Sequence, residues 1–143
     1  MKVMVIDANI GVGTVIPLPY STHVLRHMKS WRSERARIVV PVLWHYEVVS
    51  ALQKAVALRM LTKTQALSAL DELQLMNLDE IAPTPESDRR SLEWAQRLSQ
   101  LVAYDAQYLA LTENLAGEFW TADRKLVTQA RQLGYDWVHW IED

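Results

Sequence analysis

The sequence predicts a single-domain α/β protein whose parallel sheet is covered by helices. Three observations carry that expectation. Short runs such as Val3–Ile6 and Ile38–Val40 are apolar throughout and rich in β-branched residues, the pattern of strands buried on both faces. Between them lie longer segments whose apolar residues recur at helical spacing, so strands and helices alternate along the chain. The chain has 143 residues, half of them hydrophobic, with no internal repeat, low-complexity tract or linker, which suits one domain over residues 1–143.

The elements follow in order. Val3–Ile6 is the first strand, ended by Asp7-Ala8-Asn9. Gly11, Gly13, Pro17 and Pro19 then mark a long loop. Thr22–Trp31 reads as a helix capped by Ser21 or Thr22. Ile38–Val40 is a strand closed by Pro41, and Leu43, Trp44, Val48, Ala51, Leu52, Ala55 and Leu58 set a long helix over Val42–Met60. Thr64–Leu75 is helical behind a threonine cap, and a short strand falls near Met76–Ile81. Pro83-Thr84-Pro85 turns the chain into a helix over Glu86–Leu98. Another helix spans Ala103–Leu115, with Gly117 as its left-handed cap. Phe119–Thr121 is a strand, Arg124–Leu133 a helix stopped by Gly134, and Val138–Ile141 the last strand.

The bulk numbers remove several classes of function. Net charge is −2, so no basic field advertises nucleic acid, and any such contact needs a local patch and a metal. Cysteine is absent, which excludes disulfides and zinc–thiolate sites. No run approaches membrane-spanning length, and the first residues lack the apolar segment and cleavage site of a signal peptide. A cytoplasmic protein is the expectation.

Four carboxylates stand where strands end or helices begin. Asp7 closes the first strand, Glu47 lies in the opening turns of the long helix, Asp105 opens another helix, and Asp123 follows the strand Phe119–Thr121. Open parallel sheets bind ligands beyond the carboxyl ends of their strands, and these positions gather at that edge. Each acid has a plainer reading. Asp123 alone is most simply a helix cap, Asp105 suits a helix dipole, and Asp7 suits a turn. Glu47 is harder to dismiss, because it shares a helix face with Leu43, Trp44 and Ala51, where an ionised group wants a partner. A cluster of carboxylates with no basic partner is repulsive, and its usual remedy is a hard divalent cation. The four together make the chain a candidate metal-dependent phosphodiesterase.

Three stretches carry a resemblance. Val5-Ile6-Asp7-Ala8-Asn9, Pro41-Val-Leu-Trp-His-Tyr-Glu47, and Tyr104-Asp105-Ala-Gln-Tyr108-Leu-Ala-Leu with Trp120-Thr121-Ala-Asp123 resemble the PIN domain. Within it they look most like the toxin subunits of bacterial VapBC toxin–antitoxin modules. The resemblance runs from Val3 to about Gly134. It implies an α/β/α sandwich in which Asp7, Glu47, Asp105 and Asp123 form an acidic quartet that binds Mg²⁺ or Mn²⁺ and cleaves RNA. Asn9 and Thr121 match positions that support the quartet. The resemblance further implies a homodimer and a small cognate antitoxin. The loop after Asn9 departs from the family's usual opening.

Other groups have weaker claims. His23, Arg26, His27, Lys29, Arg32, Arg35 and Arg37 form the densest basic stretch. Arg26, Lys29, Arg32 and Arg35 are candidate RNA contacts, against the plainer reading of a solvated helix face. Tyr20, Tyr104 and Trp44 are candidates for stacking on an unpaired base, although Trp44 and Trp94 sit at core spacing. His45 neighbours Glu47, but adjacent helical residues diverge, so it is read as no ligand. Two further functions compete with the nuclease: a catalytically silent PIN-like module binding RNA or protein, and an aspartyl-phosphate enzyme or receiver. The second wants another acid close after Asp7, where the chain has Asn9.

Overall fold

Five strands form one parallel sheet in the order β3-β2-β1-β4-β5, in a computed structural model that describes all residues 1–143. They are β1 (Val3–Ile6), β2 (Arg37–Pro41), β3 (Asp79–Ile81), β4 (Glu118–Thr121) and β5 (Val138–Trp140). Seven helices join them: α1 (Ala8–Gly13), α2 (Ser21–Ser33), α3 (Leu43–Ala57), α4 (Lys63–Gln74), α5 (Pro85–Arg97), α6 (Tyr104–Leu115) and α7 (Arg124–Gln132). Central β1 pairs with β2 through Met4↔Ile38 and with β4 through Val5↔Phe119. Its Met4, Val5 and Ile6 are almost fully buried, as a strand covered on both faces requires.

The two covering layers follow from β4. Phe119 stacks on Tyr108 of α6, whereas its neighbour Trp120 packs on His27 of α2. Successive strand residues point to opposite faces, so α6 and α2 lie on opposite sides of the sheet. α5 packs along α6, while α1 packs against α2, α3 and α4 on the other side. The α/β/α sandwich is thus present. No helix is long and apolar enough to cross a membrane.

The expected strands and helices recur with ends shifted by a few residues, and four local readings are corrected. The long loop after Asn9 is not one. Asp7 caps α1 by accepting the Ile10 amide at 3.0 Å, and the helix runs to Gly13. Gly11 serves close packing rather than a turn, because a Cβ there would overlap the Trp44 ring of α3. α2 starts at Ser21, but neither Ser21 nor Thr22 caps it; the cap is Tyr20, and the Ser21 hydroxyl braces the preceding loop, accepting from the Leu18 amide at 2.8 Å. The left-handed residue after α6 is Ala116 (φ 50°), not Gly117. Gly117 is needed because a Cβ would lie 2.7 Å from the Val3 carbonyl oxygen. Last, the strand placed near Met76–Ile81 is confined to Asp79–Ile81.

The threonine cap implied before α4 does form, and Thr84, read from the sequence as part of a turn, is a second one. Thr62 and Thr84 each close a capping box, with Gln65 and Ser87 respectively. Gly134 ends α7 at φ 92°, a conformation glycine adopts without a Cβ penalty.

Candidate active site

The strand order reverses direction between β1 and β4, and the carboxyl ends of those neighbours define the crevice where open α/β sheets hold ligands. Asp7 leaves β1 there and Asp123 leaves β4, each as the N-cap of the next helix. Glu47 projects from the second turn of α3, and Asp105 from the first turn of α6. Asp7, Glu47 and Asp105 line one cleft of about 120 Å³ together with Asn9 and Tyr108. Asp123 stands beside it. Its charge acts on Asp105, and its amide donates to the Thr121 hydroxyl at 3.0 Å.

Each acid is held by a neutral donor. Asp7 accepts the Ile10 amide on Oδ1 and the Thr121 hydroxyl, at 2.5 Å, on Oδ2. Glu47 Oε1 accepts the Tyr108 phenol at 2.5 Å. Asp105 Oδ2 accepts the Gln100 amide at 3.2 Å. Asp123 Oδ1 accepts the Leu126 amide, also at 3.2 Å. The second oxygen of Glu47, Asp105 and Asp123 is left free of protein donors. No lysine, arginine or histidine forms an ion pair with any of the four; the basic residues pair elsewhere, as Arg37 does with Asp79 and Arg90 with Glu113.

The electrostatics follow first from burying acids and then from crowding them. Burial, reinforced by the charges of Glu47 and Asp105, pushes the Asp7 carboxyl up to about 7 against the pull of its two hydrogen bonds. Burial and the Asp105 charge raise Glu47, although the Tyr108 hydrogen bond opposes them. Burial and the Asp123 charge raise Asp105. These are the shifts that burial imposes on carboxylates, with neighbouring like charges adding to them.

The donor set is all oxygen, which suits a hard divalent cation. No three histidine, aspartate or glutamate side chains converge closely enough to clasp one ion unaided. Magnesium usually keeps several waters and takes only one or two carboxylates directly, so the spread of these acids fits an ion held partly through water. The Gln100 side-chain oxygen is buried and without a partner, while its amide donates to Asp105.

Of the supporting residues, Thr121 is fully buried and bridges Asp7 to the Asp123 backbone, and Asn9 lines the cleft. The basic stretch is not brought to the acids. Arg26, Lys29 and Arg32 lie along α2, and Arg35 follows its end, where the chain enters the opposite edge of the sheet at Arg37. Trp44 is core, 2% exposed, and anchors the site from behind by donating Nε1–H to the Asp7 carbonyl at 3.1 Å. Trp94 is also core. His45 turns away to Glu80 at 2.9 Å. Sequence reasoning missed Tyr108 and Gln100. Tyr108 stands three residues after Asp105 and so shares its helix face, a usable signal; Gln100 lies in a loop and gives none.

Comparison with known proteins agrees with this fold. The family profile of the PIN domain matches residues 5–135, and the chain belongs to that family. Several solved structures share the fold. PAE2754 from Pyrobaculum aerophilum superposes with a TM-score of 0.71 at 20% identity, covering 99% of this chain and 85% of its own. VapBC2 from Rickettsia felis, solved bound to a promoter DNA fragment, gives 0.69 at 13% identity, covering 97% and 98%. VapC20 from Mycobacterium tuberculosis, described as a sarcin–ricin loop cleaving toxin, gives 0.62 at 13% identity, covering 83% and 87%. A search among the sequences of curated proteins finds no significant match.

Proposed function

We propose that this PIN domain protein is a divalent-metal-dependent endoribonuclease and the toxin of a VapBC-type toxin–antitoxin module. One observation carries the reading: three acids line one cleft at the switch point of the sheet with a fourth beside it, each steadied by a neutral donor and none paired with a cation. A structural ion-pair cluster would hold arginine or lysine here. Acids gathered without a basic partner are what a divalent-cation site requires.

Asp7, Asp105 and Asp123 would hold Mg²⁺ or Mn²⁺, directly or through water, with Asn9 and Thr121 keeping carboxylates and waters in orientation. A bound divalent ion would supply a water that is nucleophilic near neutral pH and would offset charge on the leaving oxygen. Glu47 presents its free Oε2 to the cleft, where it orients the attacking water or completes the ligand set. Hydrolysis would join that water's oxygen to phosphorus, break the strand's P–O bond, and pass the proton the water gives up to the departing oxygen. Arg26, Lys29, Arg32 and Arg35 form an outlying positive strip for phosphates away from the cut. An RNA substrate, a homodimer and a cognate antitoxin belong to the same proposal. Support comes from solved relatives of this fold described as toxin–antitoxin complexes, such as one from Klebsiella pneumoniae at 17% identity.

A second reading has an observation in its favour. The acids do not close on one point, as a silent PIN-like binding module would allow. Cleavage of a mixed RNA pool by the pure protein separates the two. The expected result is cutting with Mg²⁺ or Mn²⁺, none with EDTA, and none by Asp105→Asn under any condition. Folded, metal-supplied protein that leaves the pool intact supports the silent module. Equal cutting by Asp105→Asn exposes a contaminating nuclease and removes the proposal's support.

A further inference from the structure

A second hollow, of about 310 Å³, opens beside the acid cleft where β2, β3 and the helices α3, α5 and α6 meet. Its apolar lining includes Pro41, Ile81 and Leu111, and the side chains of Tyr46 and Tyr104 stand at its mouth, 68% and 57% exposed. Gln107 and Asn114, on the α6 face that carries Tyr104, add side-chain amides that hydrogen-bond no other side chain. The hollow continues into the site. An adjoining depression shares Leu43, Tyr46 and Tyr104 with it and reaches Glu47, which in turn lines the acid cleft with Asp7 and Asp105.

We infer that this hollow is a subsite for one unpaired nucleobase of the RNA strand whose phosphodiester lies at the acids. The inference rests on the nuclease reading above and specifies how substrate is held. Three features select a base. No lysine, arginine or histidine lines the hollow, and Asp88 does, so it accepts an uncharged ring and rejects a phosphate. Aromatic rings at the mouth offer stacking faces, and the amides along α6 offer donors and acceptors to a base edge, which is how unpaired bases are recognised. Its volume sits at the low end of small-ligand pockets, roughly 300–1,000 Å³. A docked helix would need a longer apolar furrow for anchors on successive turns. Tyr46 and Tyr104 thereby become specificity residues, distinct from the acids that hold the reacting group.

The test is an NMR titration of the full ¹⁵N-labelled chain in Mg²⁺ with AMP, GMP, CMP and UMP, and with ribose 5-phosphate as the baseless control. At least one nucleotide should shift the side-chain amides of Gln107 and Asn114, and ribose 5-phosphate should not. Tyr104→Ala or Tyr46→Ala should weaken that binding roughly tenfold or more, the usual size of a lost base–aromatic stack, and Tyr104→Trp should retain it. Both tyrosines are exposed, so their truncation leaves the core intact. No shift with any nucleotide, equal shifts with ribose 5-phosphate, or unchanged binding by both alanine variants overturns the subsite. Movement of the same signals with protein concentration alone also overturns it and assigns the hollow to a second copy. RNA cleavage by a protein that binds no nucleotide here discards the subsite and keeps the nuclease. Nucleotide binding in a protein that cuts no RNA does the reverse.

Discussion

The Tyr108–Glu47 hydrogen bond shows what a single neutral donor contributes at this site. Tyr108 is 1% exposed, its ring is fixed by stacking on Phe119, and its hydroxyl reaches Glu47 across 61 positions of sequence. A lysine in that place would steady Glu47 equally well but cancel the charge a cation needs. Tyr108→Phe removes one oxygen and keeps the stack, so the fold should survive. Groups that orient metal-site ligands typically contribute about 10–100-fold in metal affinity or activity. Calorimetry should therefore find manganese binding weakened by at least about tenfold. The same change made in Glu47→Gln should have almost no further effect, because Tyr108 acts through Glu47. Equal losses in both backgrounds would mean that Tyr108 matters only for packing.

Elements place these residues, and here the sequence was only partly legible. The acids could be found because strand ends and helix starts are written locally: Val3–Ile6 stops at Asp7, and Trp120-Thr121 runs into Asp123. Tyr108 and Gln100 were not paired with their acids because those contacts depend on how helices and loops come together. The missed helix α1 has another cause. Gly11 and Gly13 are ordinary loop signals, but here they let a six-residue helix lie against Trp44 and Tyr20, a tertiary demand that overrides propensity. Gly11→Ala should consequently cost about 1–3 kcal/mol of stability, the usual range for overpacking a core. It should also weaken manganese binding, because the displaced Trp44 ring is the one that holds the Asp7 carbonyl. Gly117→Ala meets the Val3 carbonyl at the other end of β1 and should destabilise similarly while sparing metal affinity. Urea unfolding and calorimetry on the two variants would show whether the site depends on α1 packing or on fold stability alone.

At the scale of the whole molecule, unpaired acids make stability depend on pH and, on the proposed metal-site reading, on a divalent ion. Unfolded Asp7 titrates near its ordinary 3.8, but in the fold it titrates at about 7. Below the lower value the carboxyl is protonated in both states and costs nothing. Between the two, the unfolded chain releases its proton while the folded protein keeps it, so stability falls as pH rises; above the upper value the loss is complete. Glu47 and Asp105 shift in the same direction and add to it. A bound divalent ion reverses the balance, because it favours the ionised carboxylates and binds only the folded state. Thermal unfolding in EDTA should therefore show Asp7→Asn gaining on the parent as pH climbs from about 4 to about 7, where the substitution removes a carboxylate that the fold ionises reluctantly. Saturating manganese should raise the parent's Tm strongly at pH 8 and weakly at pH 5, and Asp7→Asn should lose most of that gain. A manganese effect of equal size at both pH values, or one undiminished in Asp7→Asn, would mean that the ion binds elsewhere.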